Sequence, residues 1–458
     1  MTFQTTNPAT GEFLKEYNYD TLAQGQEKLH QLHKSFQNYR TFTINERSQL
    51  LLRLAKSLRN HSEELANQAS LEMGKTLAEA RAEVEKCAQT AEYFAENLVG
   101  FLKPDQINFG DQKNWIIKEP LGIILAIMPW NFPYWQVIRF AVPALGAGNV
   151  ILMKHSDLTA GCAEKIEKVF LEASQGITLL VNSHLDHDSV QRMMGDSQIR
   201  GVTFTGSTRG GCAVGERAGV HLKKTVLELG GSDPYLVLSD ADIHWAAVTC
   251  AKSRMVNNGQ SCVAAKRFIV HQSVYEDFKI QFTQELKSYS YGSPFDPTSK
   301  VGSLAHHKFQ TQLHLQVQSL IQNKKNHLVF GGTVPEEKGA YYPVTLIDMD
   351  SESMTQEEFF GPVALIWKVQ TDEEAIQLAN QSIYGLGGAL FSKDIEKAKR
   401  LALELECGFV AINDMVRSDP RIPFGGVKQS GFGRELSGYG LQEFCNVKTL
   451  TLKNSSVS

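Results

Sequence analysis

The stretch "NNGQSCVAAKRF", Asn257 to Phe268, carries Cys262 behind a run of small polar residues. A thiolate is a strong nucleophile, and a thiol becomes one beside a base or a helix N-terminus. Read alone, Cys262 is either that nucleophile or a small residue packed in a turn, since cysteine is among the most buried residue types. Glu228, in "TVLELGGSDP", follows a short apolar run and precedes Gly230 and Gly231. A carboxylate where a strand meets two glycines has open access to water, which suits a general base; a solvated turn carboxylate is the alternative. Asn131, in "PWNFP", lies between two aromatic residues and two prolines. Such a rigid turn would hold an uncharged amide able to donate to an oxyanion, unless the amide serves its own turn. Gly206 and Ser207, in "FTGSTRGG", follow an apolar run. A glycine-rich turn opening a helix places backbone N–H groups beside a phosphate, although this spacing is not G-x-G-x-x-G. "EEFFGPV", Glu357 to Val363, offers two acids able to hold ribose hydroxyls or to lie in solvent.

These residues need a scaffold. From Gln26 to Leu98 the chain is proline-free and rich in Ala, Leu, Glu and Lys, which predicts helices, one closed by Gly74. Near Gly100 the character changes. Ile123 to Met128 and Val150 to Met153 are short apolar runs that predict buried parallel strands, with a helix between them ending at Gly146 or Gly148. A helix in "GCAEKIEKVFLEAS", then "ITLLVNS", a further helix and "IRGVTFTGSTRGG", continue the alternation. Strands alternating with helices imply βαβ units in a doubly wound sheet, whose ligands bind beyond the carboxyl ends of the strands. Trp130–Asn131, Lys154–Asp157 and Gly206–Ser207 are those ends. After about residue 230, "PYLVLSD", "RFIVHQ", "ALIWKV", "GGALFS" and "GFVAIND" predict a second α/β region, met across a crevice with no low-complexity linker.

The chain has 458 residues, too many for one ordinary core, and its 42% hydrophobic and 21% charged residues are those of a water-soluble globular protein. A formal charge of −4 gives no footprint for nucleic acid or an anionic membrane. Seven scattered cysteines without a C-x-x-C pair argue against a disulfide framework and a zinc site, so no metal is expected. The N-terminus lacks the basic and apolar regions of a secretory signal, no run approaches the roughly 18 apolar residues of a membrane span, and a cytoplasmic location is expected.

"PWNFP", "FTGST", "LELGG", "NNGQSC", "EEFFGPV" and "PFGGVKQSGFGRE", in this order, make the sequence resemble the aldehyde dehydrogenase superfamily from "TTNPATGE" to "EFCNVKTL". "LMKH", "LELGGSDP" and "MVRSDPRIPFGG" narrow the resemblance to short bacterial-type succinate-semialdehyde dehydrogenases. The resemblance implies an α/β fold with a Rossmann-type nucleotide-binding domain (1–100 and 121–229) and an α/β catalytic domain (230–430). It also implies an oligomerisation element (101–120 and 447–458), a return segment (431–446), and a homodimer or homotetramer.

It implies Cys262 as nucleophile, Asn131 and the Cys262 N–H as oxyanion donors, and Glu228 as the base that activates water and serves the thiol. Lys154 and Asp157 would meet the adenosine ribose, Gly206 and Ser207 the pyrophosphate, Trp130 and Phe360 the nicotinamide end, and Glu358 its ribose. Asp157 departs from the glutamate of many NAD-using members and the neutral residue of NADP-using ones. A carboxylate accepts from a ribose 2′-OH and repels a 2′-phosphate, so NAD is favoured, with NADP possible. Arg139, eight residues after Asn131, would take a distal substrate carboxylate in its guanidinium fork. Some relatives add a second arginine where this chain has Val256, and Arg417 and Ser418 are the candidates to compensate. Ala264 stands where other relatives have a second cysteine, so no redox disulfide forms with Cys262. The expected reaction is NAD(P)-dependent oxidation of succinate semialdehyde through a cysteine thiohemiacetal and thioester. A broader aliphatic or amino aldehyde range, or a noncatalytic protein on this fold, are the alternatives.

Overall fold

The computed structural model describes residues 1–453. A hairpin, Thr2–Thr6 with Phe13–Asn18, precedes four helices, Leu22–Tyr39, Ile44–Asn60, Ser62–Met73 and Leu77–Leu102. Thr21, Thr43 and Thr76 cap three of them by accepting a backbone N–H three residues on. Gly74 ends the Ser62–Met73 helix in the left-handed conformation.

A six-stranded sheet has the order Gly431–Phe432, Lys224–Glu228, Ile199–Thr205, Ile123–Met128, Val150–His155, Leu180–Asn182. All its pairs are parallel except the first, in which Gly431–Phe432 returns antiparallel to Lys224–Glu228. The central strands are apolar along their length because helices cover both faces. The strand expected to stop at Met153 runs on through Lys154 and His155, which pair with Ile127 and Met128. His155 is tied to the Pro133 carbonyl and the Thr159 hydroxyl, so the strand keeps its register into what sequence alone suggests is a turn.

A seven-stranded sheet follows, in the order His327–Phe330, Thr345–Met349, Val363–Val369, Arg267–His271, Pro234–Val237, Gly387–Phe391, Phe409–Ile412. Five of its strands are those expected; the other two, in "HLVF" and "TLIDM", extend one edge. Successive residues of a strand serve opposite faces: Tyr235 and Val237 pack in one core, Leu236 in the other. A third sheet joins Cys445–Lys453, Gln112–Pro120 and Asp105–Phe109, all antiparallel. Residues 454–458 of the expected oligomerisation element lie outside the described residues. No helix among the described residues is long and apolar enough to cross a membrane.

Candidate active site

The carboxyl ends of Ile123–Met128, Ile199–Thr205 and Lys224–Glu228 open on a cavity of about 530 Å³ closed on the far side by the loop before Val363–Val369. Trp130, Asn131, Gly206, Ser207, Glu358 and Phe360 all line it, as does Cys262. Trp130 stands edge-on to Phe360 with centroids 5.7 Å apart and stacks on Phe309 at 4.8 Å, an aromatic wall of which Phe309 escaped the sequence reading. Ser207 caps the helix Thr208–Val220 by accepting from the Gly210 N–H at 3.2 Å. The cavity thus meets a helix N-terminus, which favours an anionic group. Together with the aromatic wall and the Glu358 carboxylate, this fits a nicotinamide dinucleotide.

The loop carrying Cys262 is built by three consecutive left-handed residues, Asn257 (φ 57°), Asn258 (φ 58°) and Gly259 (φ 73°). Asparagine tolerates this conformation better than most residues because its amide bonds locally. Asn257 Nδ2 donates to the Asn131 carbonyl at 2.7 Å and its backbone N–H to Glu79 at 2.7 Å. Asn258 bonds Gly74, Ser303 and Gly302. Buried hydrogen bonds therefore hold the loop against its strain. Asn131 is buried, and its Nδ2 donates one bond, to the Gln260 carbonyl at 3.1 Å, leaving its second hydrogen unclaimed among the described residues. The Cys262 N–H likewise finds no acceptor among them.

Burial pushes the Cys262 thiol up to about 12, while the charges of Arg139 and Lys266 pull it down. The thiol borders cavities on two sides, so water entering either would ease that penalty. Lys266, which sequence reasoning passed over, is fully buried. Its ammonium donates to the Ser261 and Cys262 carbonyls at 2.9 and 2.8 Å and lies 3.4 Å from Glu358. The motif residue four positions beyond the nucleophile was the available signal.

Glu228 was expected to have open access to water. Instead it is only 2% exposed, because Gly431 pairs alongside it and closes the sheet edge. The glycines after it serve close approach. A Cβ on Gly230 would meet Glu358 at 2.6 Å, and one on Gly231 would meet the Cys262 carbonyl at 2.6 Å. Neither Glu228 oxygen has a hydrogen-bond partner among the described residues. Burial holds its carboxyl well above the usual carboxylate range; Arg139 opposes this and Glu435 reinforces it.

The structure gives Arg139 other partners than the substrate carboxylate expected of it. Its guanidinium forms an ion pair with buried Glu435, lies 3.9 Å from Glu228, and packs 4.9 Å from the Phe424 ring centroid. Two buried carboxylates share one arginine, so its charge is committed within the protein. Arg139 still borders a second cavity, of about 230 Å³, that Cys262 and Gln136 line together with the larger one. Arg417 and Ser418 line this cavity too, but Arg417 is exposed and paired with Asp414. Ser418 Oγ accepts from Lys86 Nζ at 2.8 Å, a lysine that sequence reasoning missed.

Lys154 and Asp157 lie outside the lining of the larger cavity, past the end of Val150–His155. Lys154 Nζ donates to Asp157 at 2.8 Å, and the Tyr19 hydroxyl donates to the other Asp157 oxygen at 2.7 Å. The lysine charge is thereby matched by the aspartate, and Tyr19 is a further neighbour that sequence did not indicate.

Comparison with known proteins agrees with this architecture. The sequence pattern of the aldehyde dehydrogenase family matches residues 1–450. A succinate semialdehyde dehydrogenase [NAD(P)+] of Escherichia coli K12 is 43% identical over 97% of this chain and 96% of its own. A probable NADP(+) succinate-semialdehyde dehydrogenase of Synechocystis is 41% identical over 98% and 99%. The crystal structure of succinic semialdehyde dehydrogenase from Streptococcus pyogenes with NADP+ superposes with a TM-score of 0.95, at 35% identity, covering 99% of this chain and 100% of that one. With the fold shared over its whole length and the family pattern running almost end to end, the chain belongs to the aldehyde dehydrogenase family.

Proposed function

We propose that this enzyme oxidises succinate semialdehyde to succinate with a nicotinamide dinucleotide as acceptor. The observation that carries the reading is a single thiol, Cys262, shared by a cavity fit for the dinucleotide and a second, largely apolar cavity with cations in its wall. The substrate class comes from relatives that bear that name over nearly the whole chain.

Cys262 Sγ attacks the aldehyde carbon, and the carbonyl π pair moves to oxygen. The Cys262 N–H and the unclaimed Asn131 amide hydrogen receive the negative charge that develops there. The thiol must lose its proton for this attack, and burial opposes that loss. Glu228, close enough to Cys262 to perturb it, takes the proton once ionised, and Arg139 favours that ionised form. NAD or NADP, when bound, would supply the hydride acceptor, and loss of hydride from the thiohemiacetal would leave a thioester on Cys262. Once Glu228 has passed the thiol proton on to solvent, it accepts a proton from water as the water oxygen adds to the thioester carbon; the C–S bond breaks, the electron pair returns to sulfur as the Cys262 thiolate, and the acid leaves. With the cofactor bound, Trp130 and Phe360 would border the nicotinamide end, Glu358 would hold its ribose, Gly206 and Ser207 would meet the pyrophosphate, and Lys154 and Asp157 would meet the adenosine ribose.

NAD is the preferred cofactor in this reading, although the relatives above are named for NADP or for both. Lys154 is matched by Asp157 at 2.8 Å, so the pair offers no net positive charge to a 2′-phosphate. The apolar wall of the substrate cavity (Phe132, Trp135, Val263, Val416, Phe424) favours a second reading, acceptance of uncharged aliphatic aldehydes. Initial rates over a panel of aldehydes with NAD and NADP test both readings. The highest kcat/KM is expected for succinate semialdehyde with NAD, and a preference for butanal would replace the narrow substrate by the broad one. The three-stranded sheet leaves Ile107, Phe109, Val447, Leu450 and Leu452 about half exposed, which supports a homodimer or homotetramer.

A further inference from the structure

We propose that Lys266 is the positioning residue of the oxyanion site: by holding the Ser261 carbonyl, its ammonium aims and polarises the Cys262 N–H. The inference rests on the reading of Cys262 as nucleophile above and deepens it. Lys266 immediately precedes the strand Arg267–His271 and is fully buried. Its backbone is fixed on both sides. The N–H donates to the Asp233 carbonyl at 3.2 Å, and the carbonyl accepts from the Leu365 N–H at 3.0 Å. The side chain therefore starts from a rigid base in the seven-stranded sheet and reaches back to the loop that carries the thiol.

There its ammonium donates to the Ser261 carbonyl at 2.9 Å and to the Cys262 carbonyl at 2.8 Å. These carbonyls belong to the peptide groups on either side of the nucleophile. The Ser261 carbonyl shares a peptide plane with the Cys262 N–H, and in a trans peptide the two point in opposite directions. Holding the carbonyl thus fixes where the N–H points. That N–H finds no acceptor among the described residues, as suits a donor kept for a developing oxyanion. The Ala264 N–H also donates to the Ser261 carbonyl, at 3.2 Å, and closes the turn. The ammonium adds a full charge. It draws electron density toward the carbonyl oxygen and leaves the N–H on the same peptide a stronger donor.

Packing alone does not account for this lysine. Taking an ammonium out of water is costly unless charges and hydrogen bonds offset it. Its counter-charge, Glu358, lies 3.4 Å away and is partly exposed on the larger cavity, where it also accepts the Gly231 N–H at 3.1 Å. The shortest contacts of Lys266 are therefore to the two carbonyls that flank the nucleophile, not to its counter-ion. Its charge also favours the Cys262 thiolate, so the test separates the two effects.

Two rates are compared in the full-length enzyme and in Lys266→Met, at saturating cofactor. The first-turnover rate of reduced-cofactor formation needs both the thiolate and the oxyanion site. Trapping of Cys262 by methyl methanethiosulfonate, followed by mass on its peptide, needs the thiolate alone: Sγ bonds to the thiol sulfur of the reagent, methanesulfinate leaves with the S–S electron pair, and no oxyanion forms at carbon. Loss of a whole oxyanion donor costs about a hundred- to thousandfold in rate, so a donor left unaimed and unpolarised should cost roughly tenfold. Lys266→Met should lower the ratio of first-turnover to trapping rate by that factor on succinate semialdehyde and butanal alike, with KM for either aldehyde little changed. An unchanged ratio, or a loss confined to the acid, overturns the assignment. Ser–Cys occurs once in the chain, so enzyme labelled with carbonyl-¹³C serine and ¹⁵N cysteine reports this one peptide group by NMR. In the unsubstituted enzyme its carbonyl should lie downfield of ordinary peptide carbonyls. A carbonyl in the ordinary range overturns the proposal even if Lys266→Met does not fold. If Cys262→Ala still forms reduced cofactor, the reading of Cys262 as nucleophile falls instead.

Discussion

Replacing Arg139 by methionine separates two roles that a sequence match would merge. If its guanidinium received the substrate, the loss would fall on KM for the acid alone. The structure puts it 3.9 Å from Glu228 and in an ion pair with Glu435, with all three side chains no more than 3% exposed. At that distance and an effective dielectric of about 20, the attraction favours ionised Glu228 by about 4 kcal/mol. Removing it would cut the ionised fraction by up to roughly a thousandfold, less whatever water entering the space restores. Thioester hydrolysis needs that ionised form. Arg139→Met should therefore lower steady-state kcat on succinate semialdehyde and on butanal together, by about ten- to a thousand-fold. Leaving two buried carboxylates without a counter-charge should also cost about 3–5 kcal/mol of stability. Stopped-flow absorbance at the reduced-nicotinamide band resolves the burst from the steady state, and urea denaturation gives the stability. A variant with full butanal turnover, unchanged stability and a raised KM only for the acid would refute this reasoning and return Arg139 to the substrate.

Glu228→Gln should leave a burst of reduced cofactor followed by a slow steady state, because an amide cannot take a proton from water; equal rates in both phases would remove Glu228 from hydrolysis. Since burial raises the Glu228 carboxyl, the base is lost as pH falls through that raised value, so kcat limited by hydrolysis should climb with pH, and do so no longer in Glu228→Gln. Asp157→Ser frees Lys154 and should shift the kcat/KM ratio of the two cofactors toward NADP by about tenfold; an unchanged ratio would mean that Asp157 does not face the ribose. Asn258→Ala gives up three buried hydrogen bonds and keeps the left-handed φ of 58°, whereas Asn258→Gly relieves the φ. The alanine variant should be less stable than the glycine variant by about 1–2 kcal/mol in urea denaturation, and equal stabilities would show that the loop carries no such strain.

The sequence was legible where one residue pattern had one physical meaning. Ile123–Met128 is a continuous apolar run that suits a strand covered on both faces, and two of the three strand-end motifs, Trp130–Asn131 and Gly206–Ser207, landed on the larger cavity, whereas Lys154–Asp157 lies outside its lining. Glu228 was read as open because local sequence cannot show that Gly431–Phe432 returns from two hundred residues away to cover it. Arg139 was assigned to the distal substrate carboxylate without sight of Glu435, which reaches it only through that return segment. Lys86 left a faint mark. Glu79, Glu83 and Lys86 recur at four- and three-residue steps beside the buried stripe of Ala80, Val84 and Cys87, so their charges belong to an inward face. Such a pattern signals polar work inside the fold, but not which cavity it serves. The short strands His327–Phe330 and Thr345–Met349 lacked a long apolar run, and their place at the sheet edge is decided by pairing rather than composition.

Cys262 carries the substrate as a thioester in this mechanism, and that intermediate can be caught directly. Glu228→Gln enzyme, mixed with succinate semialdehyde and cofactor and quenched in acid during the slow phase, should show by intact mass an adduct equal to succinate less water. Proteolysis should place that adduct on the peptide containing Cys262, and Cys262→Ala in the same background should carry none and form no reduced cofactor. Reduced cofactor formed in a burst with no adduct on Cys262, or with the acyl group on another residue, would rule out Cys262 as the acyl carrier.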